Sequence, residues 1–438
     1  MSAQFWSTSS IALHWFLAIS ITVRIVKRRA PIGTSLAWLF VTFAVPLVGA
    51  ALYFMIGERR KDSSRNARFV TGRKHLAEHL QDVKERGIGD HPSERSLGLF
   101  VQGALGFPVA STNSIELLSG YEATFAALIQ AIDEAESHCY LEFYIWHPGG
   151  KTQDLRNALI RAAERGVDCR VLVDAMGSSD FLDSEEPDHL SASGVKIGVS
   201  LPVSFFGSRW DLRNHRKIFV IDGNIAFTGS QNLVDPRFFK QDAGVGEWVD
   251  AMVRVDGDAA ICLEALFLRD WQVETDTEAH PVHRERPDAP DSKGPKIRIQ
   301  TLPSGPEEYP DAVHQVILGA LYGAVEEIVF TTPYFVPDDA VLNALQSAAV
   351  RGVNVIVVLP KKNDSLLVRF ASAAVFESLL DAGVTIAQYG KGLLHTKSMT
   401  VDGQFSMFGS VNLDIRSLWL NAEISLLVYD QGFTSELR

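Results

Sequence analysis

The stretch His215-Arg-Lys-Ile-Phe-Val-Ile-Asp-Gly223, with Gly229-Ser-Gln-Asn232 just behind it, decides how this chain is read, because it returns later as His395-Thr-Lys-Ser-Met-Thr-Val-Asp-Gly403 with Gly409-Ser-Val-Asn412. In both arrays Lys follows His by two residues, Asp by seven, Ser by fifteen and Asn by seventeen. Side chains two apart on a strand share a face, so His215 with Lys217, and His395 with Lys397, can reach one site. Residues 218–221 and 398–401 are mainly apolar and suit core strands. Asp222-Gly223 and Asp402-Gly403 then supply hairpin turns, after which a returning strand delivers Ser230 and Asn232, or Ser410 and Asn412. One such array is a weak signal; two with matching offsets are not coincidence.

The flanking pattern is doubled as well. A helical stretch at 121–135 leads to a strand at 140–146, a helix at 155–165 ending at Gly166, a strand at 169–174 and another at 194–197. The second series runs 312–325, 328–332, 340–351 ending at Gly352, 355–359 and 383–386. Glycine after each helix fits a left-handed cap, and short, continuous apolar strands suit sheets buried on both faces. Alternating strands and helices predict an α/β fold made by duplication. The expected organisation is a membrane anchor at 1–60, a basic helical connector at 61–110, a first domain at 111–273, a linker at 274–296 and a second domain at 297–438. The linker is rich in Pro, Asp, Glu, His and Arg and lacks an apolar run.

Each array is half of a phosphate cradle: a cation, a neutral donor and a titratable imidazole. Packed about a pseudo-twofold axis, the halves would put two histidines on opposite sides of one phosphorus, one to attack in line and the other to protonate the departing alkoxide. This reading makes His215, Lys217, Asp222, His395, Lys397 and Asp402 the catalytic set, with Ser230, Asn232, Ser410 and Asn412 around the phosphate. Lys217, Lys397, Asn232 and Asn412 would stabilise charge on the non-bridging oxygens. The two aspartates also have a plainer role in turn geometry and strand pairing, and that role is favoured over contact with substrate. A carboxylate is needed to hold each imidazole in one tautomer. Glu423 in the second copy and Glu247 in the first are the downstream candidates. No cofactor and no metal are called for, since the sequence has no carboxylate cluster suited to Mg²⁺ or Ca²⁺.

Of the 438 residues 46% are hydrophobic, enough for a full core, and the net charge of -12 argues against a nucleic-acid partner. Three cysteines without a C-x-x-C pair exclude a disulfide framework or a zinc site. Residues 32–56 carry no charge and are long enough to span a bilayer with some tilt, with Pro46 as a kink point. Residues 11–26 are apolar too, but interrupted by His14 and Arg24, and are read as a second span, a re-entrant piece or an interfacial helix. Lys27, Arg28 and Arg29 separate the two segments. The larger basic cluster, Arg59, Arg60, Lys61, Arg65, Arg68, Arg73 and Lys74, follows the second, which predicts a cytoplasmic catalytic part and a linker held against anionic lipid.

The paired arrays resemble the HKD motifs of the phospholipase D superfamily. Leu141-Glu-Phe-Tyr-Ile-Trp146, Arg213-Asn-His-Arg-Lys217, Val234-Asp-Pro-Arg237, Pro333-Tyr-Phe-Val-Pro337 and Ser417-Leu-Trp-Leu-Asn421 are similar to bacterial cardiolipin synthases, over nearly the whole chain. The resemblance implies two tandem phospholipase D-like domains, mixed β-sheets flanked by helices in pseudo-twofold relation, behind a transmembrane region in the bacterial inner membrane. It implies transfer of a phosphatidyl group between two phosphatidylglycerol molecules, with release of glycerol, through a phosphohistidine assigned to His215. Partners are then membrane phospholipids and the bilayer, not nucleic acid. Two departures stand out: Glu247 lies four residues farther from its array than Glu423 does, and the chain stops at Arg438, where such enzymes usually continue, so a C-terminal segment is expected to be missing. A hydrolytic phospholipase D shares every catalytic residue and differs only in its acceptor. A nuclease is disfavoured by the anchor and the acidic balance, and a non-catalytic lipid-binding scaffold would not need two complete arrays.

Overall fold

Lys217–Ile221 and Ser398–Val401, the apolar runs inside the two arrays, are central strands of two separate sheets in the computed structural model of the chain. The structure describes all residues except 1–2, 29–31, 46, 58–62, 82, 84–91, 113, 203–210, 278–295 and 310. The first sheet has seven strands in the order Ile115–Ser119, Ala251–Asp256, Ile225–Gly229, Lys217–Ile221, His138–Phe143, Asp168–Asp174 and Lys196–Ser200. The last three are mutually parallel and the others antiparallel. The second sheet repeats this order as Ile297–Ser304, Glu423–Tyr429, Phe405–Gly409, Ser398–Val401, Glu327–Thr331, Asn354–Pro360 and Thr385–Tyr389. Crossover helices Lys151–Glu164 and Asp339–Val350 link the corresponding parallel strands.

The second sheet gains an eighth strand, Val109–Thr112, antiparallel to Ile297–Ser304. Ile115–Ser119, only a few residues on, borders the first sheet, so the chain feeds both sheets before the first array begins. The boundary expected at residue 111 therefore falls inside a strand. Helix Asp258–Thr275 is buried from Ala259 to Val273 and shares one apolar cluster with Ile218 and Val220 of the first sheet and Ile299 and Leu302 of the second. A helix buried on all sides has no polar face, so its sequence lacks the amphipathic period that marks surface helices. Its charged residues are paired internally: Glu264 lies 2.8 Å from His138 and 3.3 Å from His79, and Arg269 bonds Asp270 at 2.9 Å.

The stretch read as a basic connector is part of this core. Helices Ser63–Leu80 and Pro92–Leu105 contribute Leu76, Leu80, Leu97, Val101 and Leu105 to the shared cluster. Arg65, expected to face lipid, instead bonds Glu274 at 2.8 Å and Glu307 at 3.2 Å, and Arg68 lies 3.8 Å from Asp276. A paired, half-buried guanidinium is not available to a bilayer. Arg29, Arg59, Arg60 and Lys61 lie outside the described residues, as does most of the linker expected at 274–296.

The described N-terminal residues, up to Gly57, belong to a separate compact unit. Helix Ala3–Arg28 contains, from Ser10 to Lys27, a window long and apolar enough to cross a membrane. The segment expected to be the cleaner span is broken instead, into Ile32–Ala44, Val48–Leu52 and a single π turn at Tyr53–Gly57. The sequence has a proline at 46, outside the described residues, and proline is disfavoured inside a helix because it has no N–H to donate. Ile21 and Ile25 of the long helix pack with Ala50 and Tyr53, and a Cβ on Gly49 would sit 2.3 Å from the Val41 carbonyl oxygen, so only glycine fits that turn.

Asp222 and Asp402 have the plainer of their two expected roles. Each has a left-handed backbone, with φ of 52°. The Asp222 carboxylate accepts from the backbone N–H groups of Glu136, Ser137 and His138, and Asp402 accepts likewise from Val325, Glu326 and Glu327. Each ties its hairpin to the start of the neighbouring strand, and each points away from the His and Lys it follows. Asp222→Ala or Asp402→Ala should cost about 1–3 kcal/mol by orphaning those donors. Thermal unfolding in detergent checks this, with the melting temperature expected to fall by several degrees while the folded fraction keeps its substrate affinity.

Candidate active site

The ends of the two arrays meet because each copy's chain pairs with the other's. His215 N–H donates to the Ala422 carbonyl at 2.8 Å and Ala422 N–H to the Arg213 carbonyl at 2.9 Å. Reciprocally, His395 N–H donates to Val249 O at 2.8 Å, and Leu393 N–H to Glu247 O at 2.9 Å, beside the parallel pairing of Leu393–Leu394 with Trp248–Val249. These crossed bridges set a carboxylate from one copy against the imidazole of the other. His215 Nδ1 lies 2.7 Å from Glu423 Oε2, and His395 Nδ1 lies 2.7 Å from Asp250 Oδ1. An ionised carboxylate only accepts, so Nδ1 carries the proton and Nε2 is the nitrogen left for substrate.

Glu247 does not orient a histidine. Its side chain is exposed, and only its backbone carbonyl serves the bridge. Side chains alternate along an extended segment: the Trp248 ring lies against His395, tilted by 39° with centroids 4.2 Å apart, Asp250 on the same side bonds that ring, and Glu247 with Val249 points the other way. Register gives the same equivalence, since Gly229 pairs with Met252 and Gly409 with Ser425, which aligns Asp250 with Glu423. The available signal was position: each carboxylate directly abuts or opens the strand beside the return strand of its hairpin. Glu423 sits where expected but serves the histidine of the other copy, which sequence spacing cannot show.

The remaining array members surround these pairs. Lys217 Nζ donates to the His215 carbonyl at 2.7 Å, and Lys397 Nζ makes the same bond to the His395 carbonyl. Ser410 donates to Glu423 at 2.6 Å, while Ser230 receives the Ala251 N–H at 3.1 Å. The serines thus support the carboxylates or their strands. Asn232 Oδ1 accepts from Ile145 N–H at 3.3 Å, and its buried Nδ2 has no hydrogen-bond partner among the described residues. Asn412 pairs with Ser417 at 3.2 Å; turning its amide end for end keeps that bond and offers Nδ2 in the same way. Tyr144, 4.9 Å from the His215 ring, and Tyr334, 6.4 Å from the His395 ring, complete the walls and were not picked out from sequence.

Charge is concentrated here and largely desolvated. Burial lowers His215 to about 4 against the pull of Glu423, with Lys217 and Lys397 adding to the depression. Burial likewise lowers His395 to about 4 against Asp250, with both lysines contributing. Lys217 falls to about 7 and Lys397 to about 8, through burial in both cases, with mutual repulsion adding to the fall of Lys217. Burial acts to raise Asp250 and Glu423, yet their histidine and lysine neighbours hold both below the usual carboxylate range. The lysine of the other copy adds to the depression of each histidine, so both arrays share one electrostatic centre. A centre with two lysines, two open imidazole nitrogens and an unpartnered amide donor fits a phosphodiester anion, whose charge favours the ammonium form of both lysines.

Residues 128–271 and 317–438 match the family described as "Cardiolipin synthase, PLD-like domain", and residues 16–58 match "Phospholipase_D-nuclease N-terminal". Cardiolipin synthase A of Pectobacterium carotovorum is 42% identical over 431 residues, covering 97% of this chain and 89% of the relative. Its namesake in Yersinia pseudotuberculosis is 41% identical over 435 residues, covering 98% and 90%. The crystal structure of phosphatidylserine synthase from Haemophilus influenzae superposes with a TM-score of 0.60 over 79% of this chain and 89% of that one, at 16% identity, and shares the fold.

The depressed histidines make the fold less stable in acid. Unfolded imidazoles titrate near 6.5 and the folded ones near 4, so their contribution is complete above pH 6.5 and is lost as pH falls to 4. The melting temperature in detergent should drop across that window, and a His215→Gln, His395→Gln double variant should flatten the drop.

Proposed function

Because the chain belongs to the cardiolipin synthase family of phospholipase D-like proteins, we propose that it joins two phosphatidylglycerol molecules into cardiolipin and glycerol through a phosphatidyl group carried on histidine. It is a membrane-anchored phosphatidyltransferase. The observation that carries the mechanistic reading is the crossed pairing: each imidazole is fixed at Nδ1 by the other copy's carboxylate, with Nε2 left over.

In the first step His215 Nε2 attacks phosphorus, the bond to the headgroup glycerol breaks, and that oxygen takes a proton from His395 Nε2. The arriving anion favours the protonated form of an imidazole that is neutral when the site is empty. In the second step a hydroxyl of another phosphatidylglycerol headgroup attacks the phosphorus. His395 takes its proton, the P–N bond breaks, and His215 is restored as cardiolipin forms. Lys217, Lys397, Asn232 and Asn412 hold the non-bridging oxygens throughout. His215 is assigned as nucleophile; its 8% exposure, against 2% for His395, leaves more room for a bulky lipid adduct. Positive residues after the apolar segments support a catalytic unit on the cytoplasmic face of the inner membrane in this reading.

Incubation of purified protein with phosphatidylglycerol, with products identified by mass, tests the activity: cardiolipin plus glycerol supports transfer, and phosphatidic acid as the main product replaces it with hydrolysis. His215→Ala and His395→Ala should each lower turnover by roughly 10³-fold or more, since the two groups act as a unit. Quenching in denaturant at mildly alkaline pH, where the acid-labile P–N bond survives, should leave the phosphatidyl label on His215, and label on His395 reverses the roles. Asp250→Asn should reduce kcat by about 10²–10⁴-fold with little change in KM, as expected for a residue that fixes a tautomer.

A further inference from the structure

Helix Leu366–Asp381 leaves Leu366, Leu367 and Phe370 at 67%, 83% and 69% exposure, an unusual cluster of large apolar side chains on one two-turn face. Ala373 and Ala374 continue that face, after which it becomes polar at Glu377, Ser378 and Asp381, with Leu380 the one large apolar exception. The apolar end is the end tied to the site. Asp364, just ahead of the helix, accepts from Tyr334 Oη at 2.9 Å, and Tyr334 is the aromatic wall beside His395. Ser365 caps the helix through Val368 N–H, and Ser372 donates to the Phe335 carbonyl at 2.7 Å.

Two further exposed apolar side chains adjoin this end. Phe335–Val336 pairs with Leu413–Asp414, which leads directly into Ile415 at 52% exposure. Asp364 also pairs with Lys240 at 3.4 Å, two residues beyond Phe238 at 61% exposure. Lys361, Lys362 and Arg369 are exposed around the same helix start, in a chain whose net charge is -12. Apolar residues bordered by cations are the pattern of a surface that enters the headgroup region of an anionic bilayer.

We propose that the first two turns of helix Leu366–Asp381, with Ile415 and Phe238, form a second membrane contact that seats the mouth of the active site in an anionic lipid surface. This contact is distinct from the N-terminal apolar helices. It acts on the reaction in two ways. A two-chain lipid can pass from the bilayer to the histidines without its acyl chains crossing water. The seated rim also limits access of water to the phosphohistidine, favouring a lipid alcohol as acceptor. The proposal uses the lipid-transfer reading to explain why the site should face a bilayer, but its test does not require turnover.

The full chain is reconstituted in vesicles of phosphatidylglycerol and phosphatidylcholine with an environment-sensitive thiol label at Leu367→Cys, Phe370→Cys or, as control, Ser378→Cys. The native Cys139, Cys169 and Cys262 are buried and compete little for label. Quenching by lipids brominated near the headgroup is expected at 367 and 370 and not at 378, with the reverse order for aqueous iodide. Iodide quenching at all three positions without lipid quenching overturns the proposal, as does shielding of 367 and 370 from both quenchers, which would mean a protein covers the face. Leu367→Asp with Phe370→Asp should lower turnover of vesicle-borne lipid by roughly tenfold or more, as expected for losing two apolar anchors. Turnover of a monodisperse short-chain phosphatidylglycerol should persist, and an equal loss on it contradicts the docking role. Failure of the transfer reading would appear in the products and leave the quenching pattern intact.

Discussion

Two carboxylate–imidazole pairs, each drawn from both copies of the repeat, are the constraint on which the rest of the site depends. Glu423 holds His215 and Asp250 holds His395, both at 2.7 Å. Neither copy can orient its own histidine. The duplication is therefore more than a doubling of parts, because half a molecule would have an imidazole without its acceptor and a buried carboxylate without its donor. Losing the donor strands a buried carboxylate without its hydrogen bond, which is far more costly than losing an exposed one.

The packing serves this crossing. The chain runs through Val109–Thr112 in one sheet and Ile115–Ser119 in the other, and the fully buried helix Asp258–Thr275 joins apolar residues from both. Around His215 a second polar layer fixes the approach strand. Asp174 receives the Asn214 N–H at 2.9 Å, Asn214 Nδ2 donates to Glu142 at 2.6 Å, and Arg216 Nε donates to the Glu423 carbonyl at 3.1 Å while its guanidinium pairs with Asp270. The second array has Thr396 where the first has Arg216, donating to Val249 O at 3.2 Å. The two histidines thus have similar first contacts and different supports, an asymmetry suited to different roles.

Much of this was legible in the amino-acid sequence. The paired arrays, the hairpins between Lys and Ser, and the alternation of strands and helices are local patterns, and local patterns survive in one dimension. What was not legible depends on parity, on crossing or on complete burial. Glu247 and Asp250 are both acidic and three residues apart, and only the alternation of an extended segment decides that Asp250 faces inward beside Trp248. That Glu423 serves His215 instead of the closer His395 is a fact of packing between copies. Helix Asp258–Thr275 was missed because burial on every side removes the periodic signal. The apolar run at 32–56 was read by composition as one span, while it is divided into Ile32–Ala44 and Val48–Leu52 and the less apolar helix Ala3–Arg28 runs unbroken.

If both imidazoles act on one phosphorus atom, a chain can carry a single phosphatidyl group at a time. The most direct measurement is the stoichiometry of the histidine-bound adduct, formed from radiolabelled phosphatidylglycerol, quenched rapidly in denaturant at mildly alkaline pH at saturating lipid and counted against active protein. The account predicts a plateau at one phosphatidyl group per chain, with all label on one histidine. A plateau at two per chain, shared between His215 and His395, would mean that each array works alone, and would contradict it.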